Sequence, residues 1–140
     1  LLIMDEATTG LDPVVRNEIL DIFREYLQDE TNSILMSSHI TSDLEKIADC
    51  VTFIDKGKML LSGVKDEILE NHGLIKCRKE ELSEIAKEDY ISARISDFGA
   101  EAMVSDREAC HKKYPSLLTE KTTLEEIMLF YVNREKKEWS

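Results

Sequence analysis

Two adjacent carboxylates, Asp5 and Glu6, close the first apolar run of the chain, Leu1-Leu2-Ile3-Met4. A third, Asp12, lies just beyond them in Thr9-Gly10-Leu11-Asp12-Pro13, and His39 directly follows a second run, Ser33-Ile34-Leu35-Met36-Ser37-Ser38. Phosphoryl transfer needs a metal ligand, a group that orients water and a stabiliser of the γ-phosphate. Asp5, Glu6 and His39 can fill those three roles, with Asp12 on the loop beside them. Taken singly, each signal is weak. Many buried strands end in acids, and an isolated histidine past a strand is usually a surface residue. The conjunction is specific: an Asp-Glu pair, a Gly-Leu-Asp-Pro turn close behind it, and Ser-Ser-His one strand–helix–strand unit later.

These residues need a scaffold, and the patterning supplies one. Leu1–Met4 is a continuous apolar run of the kind found in parallel strands buried on both faces. Its end would place Asp5 and Glu6 at the carboxyl edge of a sheet, where α/β proteins bind ligands. Asp12-Pro13 predicts a helix start, with Asp12 as cap and Pro13 at the first helical position. Val15, Ile19, Ile22, Phe23 and Tyr26 then share one helical face to about Gln28. Asp29–Asn32 reads as a turn, and Ser33–Ser38 as a second strand with His39 past its end. Ser42 and Glu45 form a capping box for a short helix to about Ala48. Val51–Ile54 and Met59–Ser62 flank a turn supplied by Gly57, and Val64–Glu70 predicts a brief helix. Beyond His72-Gly73 the expected elements are strands at Leu74–Cys77, Ile91–Ser96 and Ala100–Val104. Helices are expected at Lys79–Ala86, at Asp106–Lys113, and from Thr122 or Thr123 with Leu124, Ile127, Met128 and Tyr131 on one face.

With these elements in place, LLIMDEATTGLDP followed by SSH resembles the second half of an ABC-transporter ATP-binding subunit. LLIMDE is similar to the Walker B strand, TTGLDP to the D-loop, and SSH to the end of the H-loop strand. VTFIDKGKMLLSG and TTLEEIMLFYV resemble the closing segments of bacterial members, particularly drug- and peptide-export types. The likeness is strong over residues 1–72 and weaker beyond. It implies that Asp5 holds Mg²⁺ through water, that Glu6 polarises the attacking water, and that His39 contacts the γ-phosphate and links it to Glu6. Gly10, Leu11 and Asp12 would form the D-loop, which lies at the interface between two ATP-binding domains. Ala7 departs from the proline usual there, a change of loop stiffness rather than of chemistry.

The resemblance implies an α/β fold: a partial P-loop NTPase-type parallel sheet over residues 1–72, then a small α+β extension over residues 73–140. It also implies ATP and Mg²⁺ as cofactors, with a membrane permease and a second ATP-binding subunit as partners. The expected location is cytoplasmic, on the inner face of the membrane through that permease. Two alternatives stand beside it: a regulatory or dimerisation module in residues 73–140, and a non-transport ABC ATPase. The sequence contains no GxxxxGK[ST] loop to cradle phosphates, no Q-loop and no LSGGQ-type signature, so the 140 residues alone are expected to be inert. A start at Leu1, inside a core strand, is expected of a shortened or incomplete gene product. Such a piece would leave strand edges open and should associate with itself as a homo-oligomer.

Composition narrows the remaining classes. The net charge is -11 and uneven: residues 1–70 hold 15 acids against 6 bases, and residues 71–140 hold 14 against 12. An acidic surface repels phosphate backbones, so no nucleic-acid partner is expected. Cys50, Cys77 and Cys110 are too scattered for a disulfide framework or a zinc site and suit free thiols in a reducing compartment. No apolar run is long enough to span a bilayer. His72 and His111 read as surface residues, and Arg134–Glu138 as a solvated helix end.

Overall fold

The computed structural model describes residues 1–140 as two compact units, Leu1–Ala48 and Asp49–Ser140. The first contains strand β1 (Leu2–Asp5), helix α1 (Pro13–Leu27), strand β2 (Ile34–Ser37) and helix α2 (Thr41–Ile47). β1 and β2 are parallel, in a register running from Leu2 opposite Ile34 to Asp5 opposite Ser37. α1 starts where the sequence says it should: Asp12 is its N-cap, accepting from the amides of Val14 (3.0 Å) and Val15 (3.2 Å), with Pro13 at the first turn.

Three expectations for this unit need correction. β1 forms, but it is not buried on both faces: Leu1 and Ile3 are 74% and 73% exposed, because β2 is its only sheet neighbour. On α1 the buried residue is Leu20, whereas Val15 and Ile22 are exposed. Ile19, Phe23 and Tyr26 of the expected stripe are half-buried, so the inward face is the expected one rotated toward Leu20. α2 begins two residues earlier than a Ser42 cap requires. Ile40 is the N-cap, with no side-chain hydrogen bond, so the capping box does not form.

The second unit opens with an antiparallel hairpin of β3 (Cys50–Asp55) and β4 (Lys58–Val64). Lys56 (φ 48°) and Gly57 (φ 75°) both take positive φ in the two-residue turn, the backbone that matches strand twist in tight hairpins. Helix α3 (Lys65–Asn71) leads into β5 (Gly73–Cys77) and the short helix α4 (Lys79–Leu82). β6 (Ala93–Ser96), β7 (Gly99–Val104), helix α5 (Arg107–Lys113), β8 (Thr119–Glu120), helix α6 (Leu124–Val132) and β9 (Glu138–Trp139) follow. The five strands order as β8-β5-β7-β6-β9, all pairs antiparallel except β6 with β9.

Strand alternation gives this sheet two distinct faces. Ile75, Ala93, Ala100, Ala102 and Val104 join Leu82, Ile85, Tyr90 and Cys110 in one apolar cluster. Glu101, on the opposite face of β7, bonds the facing Arg94, which also pairs with Glu126 of α6 and lies over the Phe130 and Trp139 rings. Leu124, Ile127 and Phe130 of α6 are fully buried.

α4 is shorter than expected, and β8 and β9 are unforeseen; two-residue strands are too brief to show alternation. Lys137 takes positive φ (60°) in a turn that feeds β9, so Arg134–Glu138 is not a helix end. His72 is buried at 4% exposure rather than on the surface, and His111 is exposed as expected. The cysteines are free thiols. No helix is long and apolar enough to cross a membrane.

Candidate functional site

Parallel pairing brings two segments, distant in sequence, to one edge of the β1/β2 sheet. Asp5 is the last residue of β1, opposite Ser37, the last of β2. Ser37 Oγ donates to Asp5 Oδ1 and lies 3.3 Å from the Glu6 amide, which also donates to the Ser37 carbonyl at 3.0 Å. Ser37 therefore joins the two acids to the strand that carries His39. The His39 Nδ1–H donates to Glu6 Oε2 at 2.7 Å, and the Thr9 hydroxyl donates to the same oxygen at 2.6 Å. That tautomer leaves Nε2 as the second ring nitrogen, available to a ligand.

Electrostatics keep Glu6 ionised. The Thr9 hydroxyl, and after it His39, hold its carboxyl below the usual carboxylate range. An ionised carboxylate paired with an imidazole can orient a water molecule by accepting its hydrogen bond. The pair is open to solvent, with the His39 and Glu6 side chains 68% and 37% exposed. Glu6 also has φ 51°, a left-handed backbone that non-glycine residues adopt at a cost of about 1–3 kcal/mol and that clusters at functional sites.

The expected site residues divide into two groups. Asp5, Glu6 and His39 come together at the sheet edge. Asp12 does not join them: its carboxylate is spent on the first turn of α1. Gly10 takes φ 77° in the loop, and the Leu11 amide donates to the Thr8 carbonyl at 3.5 Å. No group of three or more His, Cys, Asp or Glu side chains is arranged to hold a metal ion. Asp5 alone still suits Mg²⁺, which keeps most of its waters and takes one or two carboxylates beside substrate phosphates.

No protein-family model matches the chain. Curated relatives do. The energy-coupling factor transporter ATP-binding protein EcfA2 of Streptococcus pyogenes serotype M5 (strain Manfredo) is 32% identical over 99 residues, which cover 71% of this chain and 34% of the relative. The same protein from the serotype M3 strain MGAS315 and the serotype M4 strain MGAS10750 matches to the same extent. The chain spans about a third of the length of these relatives. It belongs to the ABC-type ATP-binding proteins.

For an ABC-type chain, the mixed α/β architecture with a parallel β1/β2 pair is compatible with part of a P-loop NTPase-type fold. Sequence reasoning missed four side chains around the Asp5, Glu6 and His39 cluster: Thr8, Thr9, Ser37 and Asp43. Ser37 was recoverable, since a parallel pair ending in Asp5 must place a residue of the SSH strand beside it. The two threonines gave no such signal, because adjacent residues of one type can face opposite ways. Thr9 faces Glu6, whereas Thr8 is fully buried and donates to Asp43 of α2 at 2.7 Å.

Proposed function

We propose that this chain is the C-terminal portion of an ABC-transporter ATP-binding protein which, intact, hydrolyses ATP to drive transport across a membrane. The carrying observation is the 2.7 Å Glu6–His39 pair, with Asp5 beside it, at the carboxyl edge of parallel strands. Glu6 is the base that takes a proton from the attacking water. His39 holds Glu6 through Nδ1 and meets the γ-phosphate through Nε2. Asp5 would hold the Mg²⁺ that arrives with the nucleotide, which would supply positive charge at the phosphates. Ser37 and Thr9 fix the two carboxylates by donating to them. Gly10, Leu11 and Asp12 form the loop facing the second ATP-binding domain, with Asp12 setting where α1 begins.

Residues 1–72 belong to the ATP-binding domain and residues 73–140 to an extension. The five-stranded sheet with its own apolar core supports an accessory role, regulatory or dimerising, for that extension. The partners of the intact protein are a membrane permease and a second ATP-binding subunit, on the cytoplasmic face of the membrane. The 140 residues alone bind ATP weakly, since they lack a phosphate-cradling loop, and they self-associate through β1 and β2.

Magnesium-dependent ATP hydrolysis by the intact protein tests this reading. Asp5→Asn should raise the Mg²⁺ concentration needed for half-maximal activity about tenfold or more, since a neutral amide is a poor ligand for this hard cation. An intact protein without ATPase activity, or an Asp5→Asn form with unchanged Mg²⁺ dependence, contradicts it.

A further inference from the structure

Beside the exposed Glu6–His39 pair lies a second contact between the same two segments, and it is buried. Thr8 and Asp43 are both 0% exposed, and the Thr8 hydroxyl donates to Asp43 Oδ2 at 2.7 Å. The other carboxylate oxygen, Oδ1, is buried with no hydrogen-bond partner, so Thr8 is the side-chain group that satisfies Asp43. A buried polar group with one partner is sensitive to losing it.

The positions of the two residues give the contact its meaning. Backbone pairing between the segments ends where the Glu6 amide meets the Ser37 carbonyl. Past that point the loop turns through Thr9 N to Glu6 O (3.1 Å), placing Thr9 outward on Glu6 and Thr8 inward. On the other segment, the Ile40 amide donates to Ser38 Oγ (3.0 Å) and the Asp43 amide to the Ile40 carbonyl (3.1 Å), so His39 leads directly into α2. Glu6 meanwhile sits at φ 51°, a conformation that persists only where its surroundings enforce it.

We propose that the buried Thr8–Asp43 hydrogen bond is a positioning clamp: it ties the loop carrying Glu6 to the helix following His39 and so holds the hydrolytic pair in register. The proposal rests on the reading of Glu6 and His39 as that pair. Thr8 and Asp43 are fully buried and act through Glu6 and His39. Small misplacements of a reacting group, of about 1 Å, cost up to about a hundredfold in rate.

Two measurements test the clamp. In the 140-residue chain, nuclear Overhauser contacts between the His39 ring and the Glu6 γ-methylene should be strong in the wild type and in Thr8→Ser, which keeps the hydroxyl. Thr8→Val, which removes it, should weaken them severalfold. In the intact protein, Thr8→Val should lower kcat by about tenfold to a hundredfold with little change in KM, and Thr8→Ser should retain the wild-type rate. If Thr8→Val unfolds the first unit, the double variant Thr8→Val/Asp43→Leu replaces both partners by apolar groups and keeps the fold. The weakened contact should then appear there. Retention of the His39–Glu6 contact in a folded variant lacking the Thr8 hydroxyl overturns the clamp. An intact wild type without ATPase activity overturns the functional reading instead, and the Overhauser contacts still decide the geometry.

Discussion

The two compact units are built on opposite principles. In residues 1–48, Leu20 is the one buried apolar residue, and it is joined by three buried polar ones, Thr8, Thr41 and Asp43. Every other buried apolar residue, from Val51 to Phe130, lies in residues 49–140. The chemistry-bearing side chains therefore sit on the unit with little core of its own, held by hydrogen bonds and one cap. The unit without them carries a two-faced sheet. Directional bonds place a carboxylate to within tenths of an ångström, but they contribute about 1 kcal/mol each. Apolar burial contributes more and positions less. Site geometry and folding stability thus come from different parts of the chain.

The largest effect that could break this contrast is a cavity in the second unit. Phe130 is fully buried and meets Trp139 edge-on at 5.4 Å, so Phe130→Ala should cost about 3–5 kcal/mol. Hydrogen exchange would show β5 and β7 losing protection while α1 keeps its own. Equal loss in α1 would mean that the units fold as one cooperative body. A second effect sharpens the contrast from the other side. Leu1, Ile3 and Leu35 are 74%, 73% and 62% exposed, and burying such surface yields about 25 cal/mol per Å². Light scattering at tens of micromolar should give a mass above the monomer's 16.1 kDa, and Ile3→Lys should bring it down. A clean monomer would show that the open β1/β2 faces are tolerated in water.

The smallest effect is a pH dependence confined to the second unit. His72 Nδ1–H donates to the Ile68 carbonyl at 2.7 Å, and Nε2 accepts from the Tyr131 hydroxyl at 2.9 Å. Both bonds fit a neutral ring, and burial holds the imidazole below its ordinary pKa of 6.5, against the opposing Ile68 bond. Below that value the unfolded chain binds a proton that the folded one resists. Stability is then complete above about pH 6.5 and falls as the pH drops toward the folded-state value. His72→Gln should flatten that slope in thermal melts of the second unit. An unchanged slope would assign the acid sensitivity to other groups.

What was legible in the sequence follows the same division. The Asp5–Glu6 pair, the Asp12 cap and His39 past its strand were all readable, because each is fixed by local backbone rules acting over a few residues. Burial was not. The face of α1 that turns inward, Leu20 rather than Val15, depends on neighbours that periodicity cannot name. His72 looked like a surface residue because its partner, Tyr131, lies far along the chain. Trp139 gave no reading at all, yet it forms an edge strand and meets the buried Phe130 ring edge-on. The Thr8–Asp43 bond escaped for the same reason: a long-range contact between common residue types leaves no spacing to detect.

The central claim is that Glu6 is the base of an ATP-hydrolysing site, and removing its charge at constant shape tests it most directly. In the intact protein, Glu6→Gln should bind Mg-ATP as the wild type does, because the amide keeps the volume and Asp5 remains. Turnover should fall by about 10²–10⁴, the usual cost of losing a general base. Single-turnover hydrolysis, measured beside equilibrium nucleotide binding, separates the two quantities. Unimpaired binding with turnover reduced in that range is the expected result, and a Glu6→Gln protein hydrolysing ATP at the wild-type rate contradicts the account.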